Sequence, residues 1–191
     1  MIIGASEEHV RLRPLPDEAA ALLREVGAPP RLVAHLRAVH DVAAQLVDWV
    51  TAQCPALGLD REAVLFGAAT HDIGKAVHRA ELSGPGSAHE EAGRALLLAH
   101  GVRPDLARFA GSHARWDAEG VGVEDLLVSL ADKVWKNKRV PELEDRVVAE
   151  LARAGGLPVW EAFLRLDEEL TRIGDGAEER LAYQAAHPVD G

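Results

Sequence analysis

His71 and Asp72 stand side by side in this chain and lead into Ile73-Gly74-Lys75. His35 and His40 lie upstream; His89, His113 and Asp132 lie downstream. Imidazole nitrogens and carboxylate oxygens are the donors from which proteins build sites for divalent metals. The chemistry these residues suggest is therefore metal binding. A bound ion can acidify water and draw in an anionic substrate. Sulfur takes no part in a multi-thiolate site, because Cys54 is the one cysteine; iron, manganese, nickel, cobalt and zinc all suit the remaining donors.

The elements that must position these groups read as helices broken by proline and glycine. Asp17 can cap a helix that runs to Arg24 and stops at Gly27, and Pro29-Pro30 open a longer one from Arg31 to about Gln53. On that helix Leu32, Leu36, Val39, Ala43, Leu46 and Val50 form one stripe at helical period, with His35 and His40 at its opposite edges. Asp60 caps the next helix, an apolar segment that ends at His71-Asp72. Residues 83–87, Ser-Gly-Pro-Gly-Ser, form a loop before a helix from about Ala88 to His100, and Pro104 opens another that reaches His113. The segment from Val123 to about Lys138 is helical and apolar nearly all round, which marks a central element. Two further helices span about Glu142–Ala154 and Pro158–Ile173, and the polar tail from Gly174 is expected to fray. The expected fold is an all-α helical bundle in a single domain.

Each candidate has an ordinary structural alternative. His71 can be a helix-end histidine favoured by the dipole, and Asp72 a loop aspartate. His35 and His40 compete for one role, and either can be a satisfied core histidine. Asp132 is a costly charge within an apolar helix unless a cation stands beside it; alternatively, Asp125, Ser129, Asp132 and Lys136 make a solvated strip. His89 and His113 are surface histidines if they act singly. Lys75 is a phosphate partner or a surface lysine. Lys133, Lys136, Lys138 and Arg139 form a basic rim or a solvated helix end; Arg79, Arg115 and Trp116 are weaker pocket candidates.

At 191 residues the chain has room for one substantial core, and with 48% apolar but 4% aromatic residues its composition favours helix over sheet. Its net charge of -10 opposes nonspecific binding to nucleic acid. Residues 1–13 lack the apolar core of a signal peptide, and no apolar run reaches membrane-spanning length. A cytoplasmic protein with no nucleic-acid or membrane partner is expected. The helices after Pro141 offer a face for a homodimer.

In order and in context, His35, His71-Asp72 and Asp132 resemble the H…HD…D ligand set of the HD-domain phosphohydrolases. His35-Leu36-Arg37-Ala38-Val39 is similar to the family's H-x-x-x-V start, Ala69-Thr70-His71-Asp72-Ile73-Gly74-Lys75 to its HD-I-G-K segment, and Leu130-Ala131-Asp132-Lys133 to its closing A-D-K. His89-Glu90-Glu91-Ala92-Gly93 and His113 extend the likeness to two-metal members such as the HD-type symmetrical diadenosine-tetraphosphate hydrolases. HD-GYP phosphodiesterases share the ligand order, but this chain has no GYP segment.

The resemblance implies an HD domain over residues 31–139, an N-terminal helical extension over 1–30 and C-terminal helices over 140–191 packed on the domain. It implies one or two divalent ions, iron or manganese favoured, held by His35, His71, Asp72, His89, His113 and Asp132. Asp72 would bridge the ions and, with Lys75, serve catalysis. His40, Arg79, Lys133 and Lys136 are candidate substrate contacts. The implied reaction is hydrolysis of a phosphate ester or anhydride in a nucleotide or similar small molecule. The alternatives are a di-iron oxygenase on the same scaffold and a non-catalytic sensor that keeps its metal for folding.

Overall fold

The computed structural model describes residues 11–189, and among them every regular element is helical. In chain order these are α1 (Asp17–Glu25), α2 (Pro30–Gln53), α3 (Arg61–Thr70), α4 (Ala88–Ala99), α5 (Pro104–Ser112), α6 (Val123–Val134), α7 (Pro141–Gly155), α8 (Val159–Gly174) and α9 (Ala177–Ala185), with short 3-10 turns at Pro55–Leu57, Ile73–Ala76 and Arg79–Leu82. They form one all-α domain, as the composition and periodicity lead one to expect. None of these helices is long and apolar enough to cross a membrane. Residues 1–10 of the expected N-terminal extension lie outside the described residues.

The 24-residue α2 is the spine. Proline at its first turn is compatible with helix, because that amide has no intrahelical partner. Asp60 accepts a 3.0 Å hydrogen bond from the Ala63 amide and starts α3, as expected. Asp17 does not cap α1: Pro16 holds that position and Asp17 is the first helical residue. Its carboxylate still stands at the positive end of the helix.

α6 runs through the middle of the domain and buries Leu126, Leu127, Val128, Leu130, Ala131 and Val134 against α2, α3, α7 and α8. It is shorter than the sequence suggests, ending at Val134 rather than near Lys138. Asn137 adopts φ 56, and the Asn137 and Lys138 amides donate back to the Val134 and Lys133 carbonyls at 2.9 and 3.1 Å. This left-handed closure stops a helix, and asparagine tolerates it better than most residues.

The expected frayed tail is instead α9. Arg180, 5% exposed, donates to the Trp135 and Ile173 carbonyls at 2.8 and 2.6 Å. Arg31 reaches the His187 carbonyl at 2.7 Å, and Arg37 the Tyr183 hydroxyl at 3.4 Å. The Arg180 guanidinium of α9 itself and those of Arg31 and Arg37 on α2 thus hold a segment whose own apolar content is low.

Candidate metal centre

Five helices or their ends deliver the candidate donors to one point. His35 projects from α2, His71 and Asp72 from the end of α3, His89 from the first turn of α4, His113 from the end of α5 and Asp132 from α6. Two close approaches make this convergence feasible. Gly67 meets Phe109: a Cβ at Gly67 would stand 2.6 Å from the Phe109 ring. One turn further along, on the same faces, the His71 and His113 rings lie 4.9 Å apart. The second approach packs Gly74 against Gly93 and brings the turn after Asp72 onto α4.

The donor separations lie at or within a few tenths of an ångström of those in a coordination shell. Two ligands each about 2.1 Å from one ion stand about 3.0–3.4 Å apart. His35 Nε2 lies 3.2 Å from Asp72 Oδ2 and 3.7 Å from Asp132 Oδ1, and His71 Nε2 lies 3.8 and 3.4 Å from the same two oxygens. On the other oxygen of Asp72, Oδ1, His89 Nε2 approaches to 3.1 Å and His113 Nε2 to 3.4 Å. Both His35/His71/Asp132 and His71/Asp72/His113 group their donor atoms within 4.8 Å.

Four of these atoms are not consumed by hydrogen bonds. His35 Nε2, His71 Nε2, His89 Nε2 and Asp72 Oδ1 are buried without a hydrogen-bond partner among the described residues. Buried polar atoms normally have partners, and a cation at the centre would satisfy all four. Three of the other ring nitrogens are anchored: His71 Nδ1 to the Ala68 carbonyl at 2.9 Å, His113 Nδ1 to the Phe109 carbonyl at 3.3 Å and His89 Nδ1 to Glu81; His35 Nδ1 has no partner among the described residues. An Nδ1–H donated outward leaves the Nε2 lone pair facing inward, as a metal ligand requires. The donor set fits a divalent metal.

The electrostatics point the same way. Burial disfavours the charged form of Asp72, yet His71, His35 and His89 hold its carboxyl well below the usual range. Asp132 is likewise lowered against its burial, by His71 and then Lys133. Burial lowers His71, but Asp72 and Asp132 outweigh it and raise the imidazole. His89 is raised against its burial by Asp72 and Glu81. His113 is pushed down to about 4 by burial and by the neighbouring His71. Two ionised carboxylates in a buried pocket thus favour positive charge on His71 and His89. Two ammoniums already answer: Lys75 Nζ lies 2.5 Å from Asp72 Oδ2, and Lys133 Nζ 2.7 Å from Asp132 Oδ2.

A family model described as HD domain matches residues 32–137, more than half of the chain. The chain belongs to the HD domain family. HD domains bind divalent metals and are generally metal-dependent hydrolases. Comparison with curated proteins and with solved structures finds no match.

Within this HD domain the choice between His35 and His40 is decided by rotation about α2. Five residues turn a helix by about 140° net, so only one of the two can face the donors. His35 does. His40 is also buried, but its charged surroundings are Asp41, Arg13, Arg37 and Arg61, and burial pushes it down to about 4. It does not join the cluster or its rim, contrary to the expectation that it contacts substrate. Asp132 is no part of a solvated strip, since Asp125 and Ser129 are buried, Asp125 against Arg108 and Ser112. Arg79 donates to the Gly27 carbonyl at 3.3 Å, which ties it to the α1–α2 turn rather than to the cluster. Arg139 is taken up by Glu144 and Asp167, each at 2.7 Å, so it is not a free cation of the basic rim. Lys136 is exposed, with its ammonium 5.9 Å from the Trp135 ring centroid.

Two residues at the site escape a reading by motif. Trp135 packs edge-on to His35, ring centroids 5.0 Å apart, and its buried indole N–H has no partner among the described residues. Glu81 lies in the 3-10 turn before the glycine loop and binds His89 Nδ1. His89 and its backbone hold the Glu81 carboxyl below its ordinary range. Neither residue has a spacing that relates it to the ligands, and only the folded turn reveals it.

Proposed function

We propose that this HD domain is a metal-dependent phosphohydrolase that cleaves a phosphate ester or anhydride of a nucleotide or similar small molecule. The observation that carries the reading is the division of Asp72: Oδ2 faces His35 and His71, while Oδ1 faces His89 and His113. A carboxylate so placed suits two adjacent cations. In this reading Asp132, His35 and His71 would hold one ion and His89 and His113 a second, with Asp72 offering an oxygen to each set. Iron or manganese is the metal proposed, and the nitrogen–oxygen donor set suits either. Ions held there supply Lewis acidity to phosphate oxygens and acidify a coordinated water.

The chain's own groups bind and orient the substrate. Lys75 and Lys133, each 21% exposed at the side chain, stand between the carboxylates and solvent. Their ammoniums would compensate the charge of a bound phosphate and the charge that develops on the leaving oxygen. On a chain of net charge -10, this local pair of cations favours an anionic substrate over a neutral one.

The test combines elemental analysis of anaerobically purified protein with phosphate release from a panel of nucleotides and small phosphate esters. Two equivalents of metal and release that disappears in Asp72→Ala are expected. Metal-loaded protein that consumes oxygen without releasing phosphate would establish the oxygenase alternative. Metal-loaded protein with neither activity would establish the non-catalytic one.

A further inference from the structure

Glu81 reaches the site from outside the ligand motifs. It lies in the turn Arg79–Leu82, eight residues before His89, and its carboxylate makes three contacts at the start of α4. Oε1 accepts from the Ala88 amide at 3.1 Å, and Oε2 accepts from the His89 amide at 3.2 Å and also binds the His89 ring at Nδ1. The glycine loop is shaped around this carboxylate: a Cβ at Gly86 would stand 2.7 Å from Glu81 Cγ.

The other five imidazoles and carboxylates of the cluster have a different kind of support. α2, α3 and α6 pack directly on one another through buried apolar side chains. The anchors of His71 and His113 are carbonyls of their own helices, Ala68 and Phe109. They persist as long as those helices do. His89 alone among the three anchored rings depends on a side chain from a separate short turn. Its ring orientation is therefore conditional on the segment 79–88 being folded back on α4.

We propose that Glu81 is a positioning residue that fixes the tautomer and aim of His89, and so makes occupancy of the His89/His113 metal position separately dependent on the turn that carries it. This rests on the two-ion reading above. With Nδ1–H held by Glu81, Nε2 keeps its lone pair toward Asp72 Oδ1, 3.1 Å away. Without Glu81 the ring is free to rotate, or to carry its proton on Nε2, and the position loses one imidazole. The position built on His35, His71 and Asp132 has no contact with Glu81 and keeps its affinity. The two metals then bind unequally, and loss of the weaker one needs no change in the helical core.

The experiment is equilibrium metal titration of the full chain with manganese, read by elemental analysis and by the electron paramagnetic resonance of coupled and isolated Mn(II). It is carried out on wild type, Glu81→Gln and Glu81→Ala. Glutamine keeps an oxygen that can accept the Nδ1–H, so it serves as the conservative variant. Wild type is expected to take two equivalents with a spin-coupled signal. Glu81→Ala is expected to bind the weaker equivalent roughly 10–100-fold less well, to keep the tighter one, and to show an isolated-ion signal at one equivalent. Glu81→Gln should recover part of that loss. A role confined to capping α4 would instead lower the melting temperature of metal-free protein and leave the unequal metal loss unseen; that result overturns the inference. Wild-type affinity at both positions in Glu81→Ala, or equal weakening of both, also overturns it while leaving the two-ion reading intact. If wild type itself takes up only one equivalent, the two-ion reading fails, and the inference fails with it.

Discussion

Gly74 and Gly93 touch backbone to backbone. A Cβ on Gly93 would stand 3.0 Å from the Gly74 nitrogen and 3.4 Å from its Cα. A Cβ on Gly74 would stand 2.6 Å from the Gly93 nitrogen and overlap the His89 carbonyl. One glycine follows Asp72 by two residues and the other follows His89 by four, so the contact sets the distance between two parts of the metal centre. It explains why glycine occupies both places: no side chain fits between a turn and a helix packed this closely.

Gly74→Ala should therefore destabilise the protein by roughly 2–4 kcal/mol, the range of overpacking against an unyielding neighbour, and weaken metal binding with it. Gly111→Ala is the matched control. Gly111 lies inside α5, and its added Cβ would meet only Arg94 Cδ at 3.6 Å, so a gain of about 0.5–1 kcal/mol is expected from helix propensity. Denaturant titration of the two variants checks both signs. Equal behaviour would show that the Gly74–Gly93 approach is not tight.

Asp132→Asn should cost most of the metal bound between His35 and His71. The amide keeps the shape of the carboxylate but loses its charge, and it leaves Lys133 without its 2.7 Å partner. Metal content after dialysis is the measurement, and full retention would remove Asp132 from the ligand set.

Chelation should lower the melting temperature of the wild type. A ligand present at about 1,000 times its Kd stabilises the folded state by about 4 kcal/mol, or roughly 8–16 °C for a domain of this size. Asp72→Ala should melt at the same temperature with and without chelator. A chelator-induced shift that survives in Asp72→Ala would place the stabilising ion elsewhere.

His40 supplies a pH dependence apart from the metal. Its pKa falls from 6.5 to about 4 on folding, chiefly through burial, so between those values the unfolded chain binds the proton and the folded one does not. Stability is complete above pH 6.5 and declines as the pH falls toward 4, by on the order of 3 kcal/mol from this group. In chelated protein, His40→Leu should reduce the slope of that part of the stability profile, with the share of His113, also lowered to about 4, remaining. Wild-type and variant profiles of equal slope would show that His40 is not buried neutral.

Arg180→Ala should release α9. The Trp135 carbonyl would lose its partner and the Ile173 carbonyl would keep only the Gly176 amide at 3.2 Å, at a cost of about 2–3 kcal/mol. Hydrogen exchange should show lost protection in residues 177–185 before the rest of the domain. Unchanged protection there would assign the docking of α9 to Arg31 and Arg37.

Several features were legible in the residues alone. Proline and glycine punctuation located most helix boundaries, and helical period identified the buried stripe of α2 and the central position of α6. The ordered histidines and aspartates marked the candidate donors, because ligand chemistry depends on residue type and the helices on local pattern. Tertiary structure decided the rest. His35 and His40 both border the same stripe, and only the rotation of α2 against α3 and α6 selects His35. Asp72 offers two oxygens in any conformation, but the packing of α4 and α5 assigns them to different imidazoles. Glu81 and Arg180 act across turns and helix ends that no periodicity describes. The stop at Asn137 and the folding of α9 depend on hydrogen bonds between distant segments. Local sequence fixes which groups are present and on which element; their convergence is set by close-packed contacts between elements, whose partners are far apart along the chain.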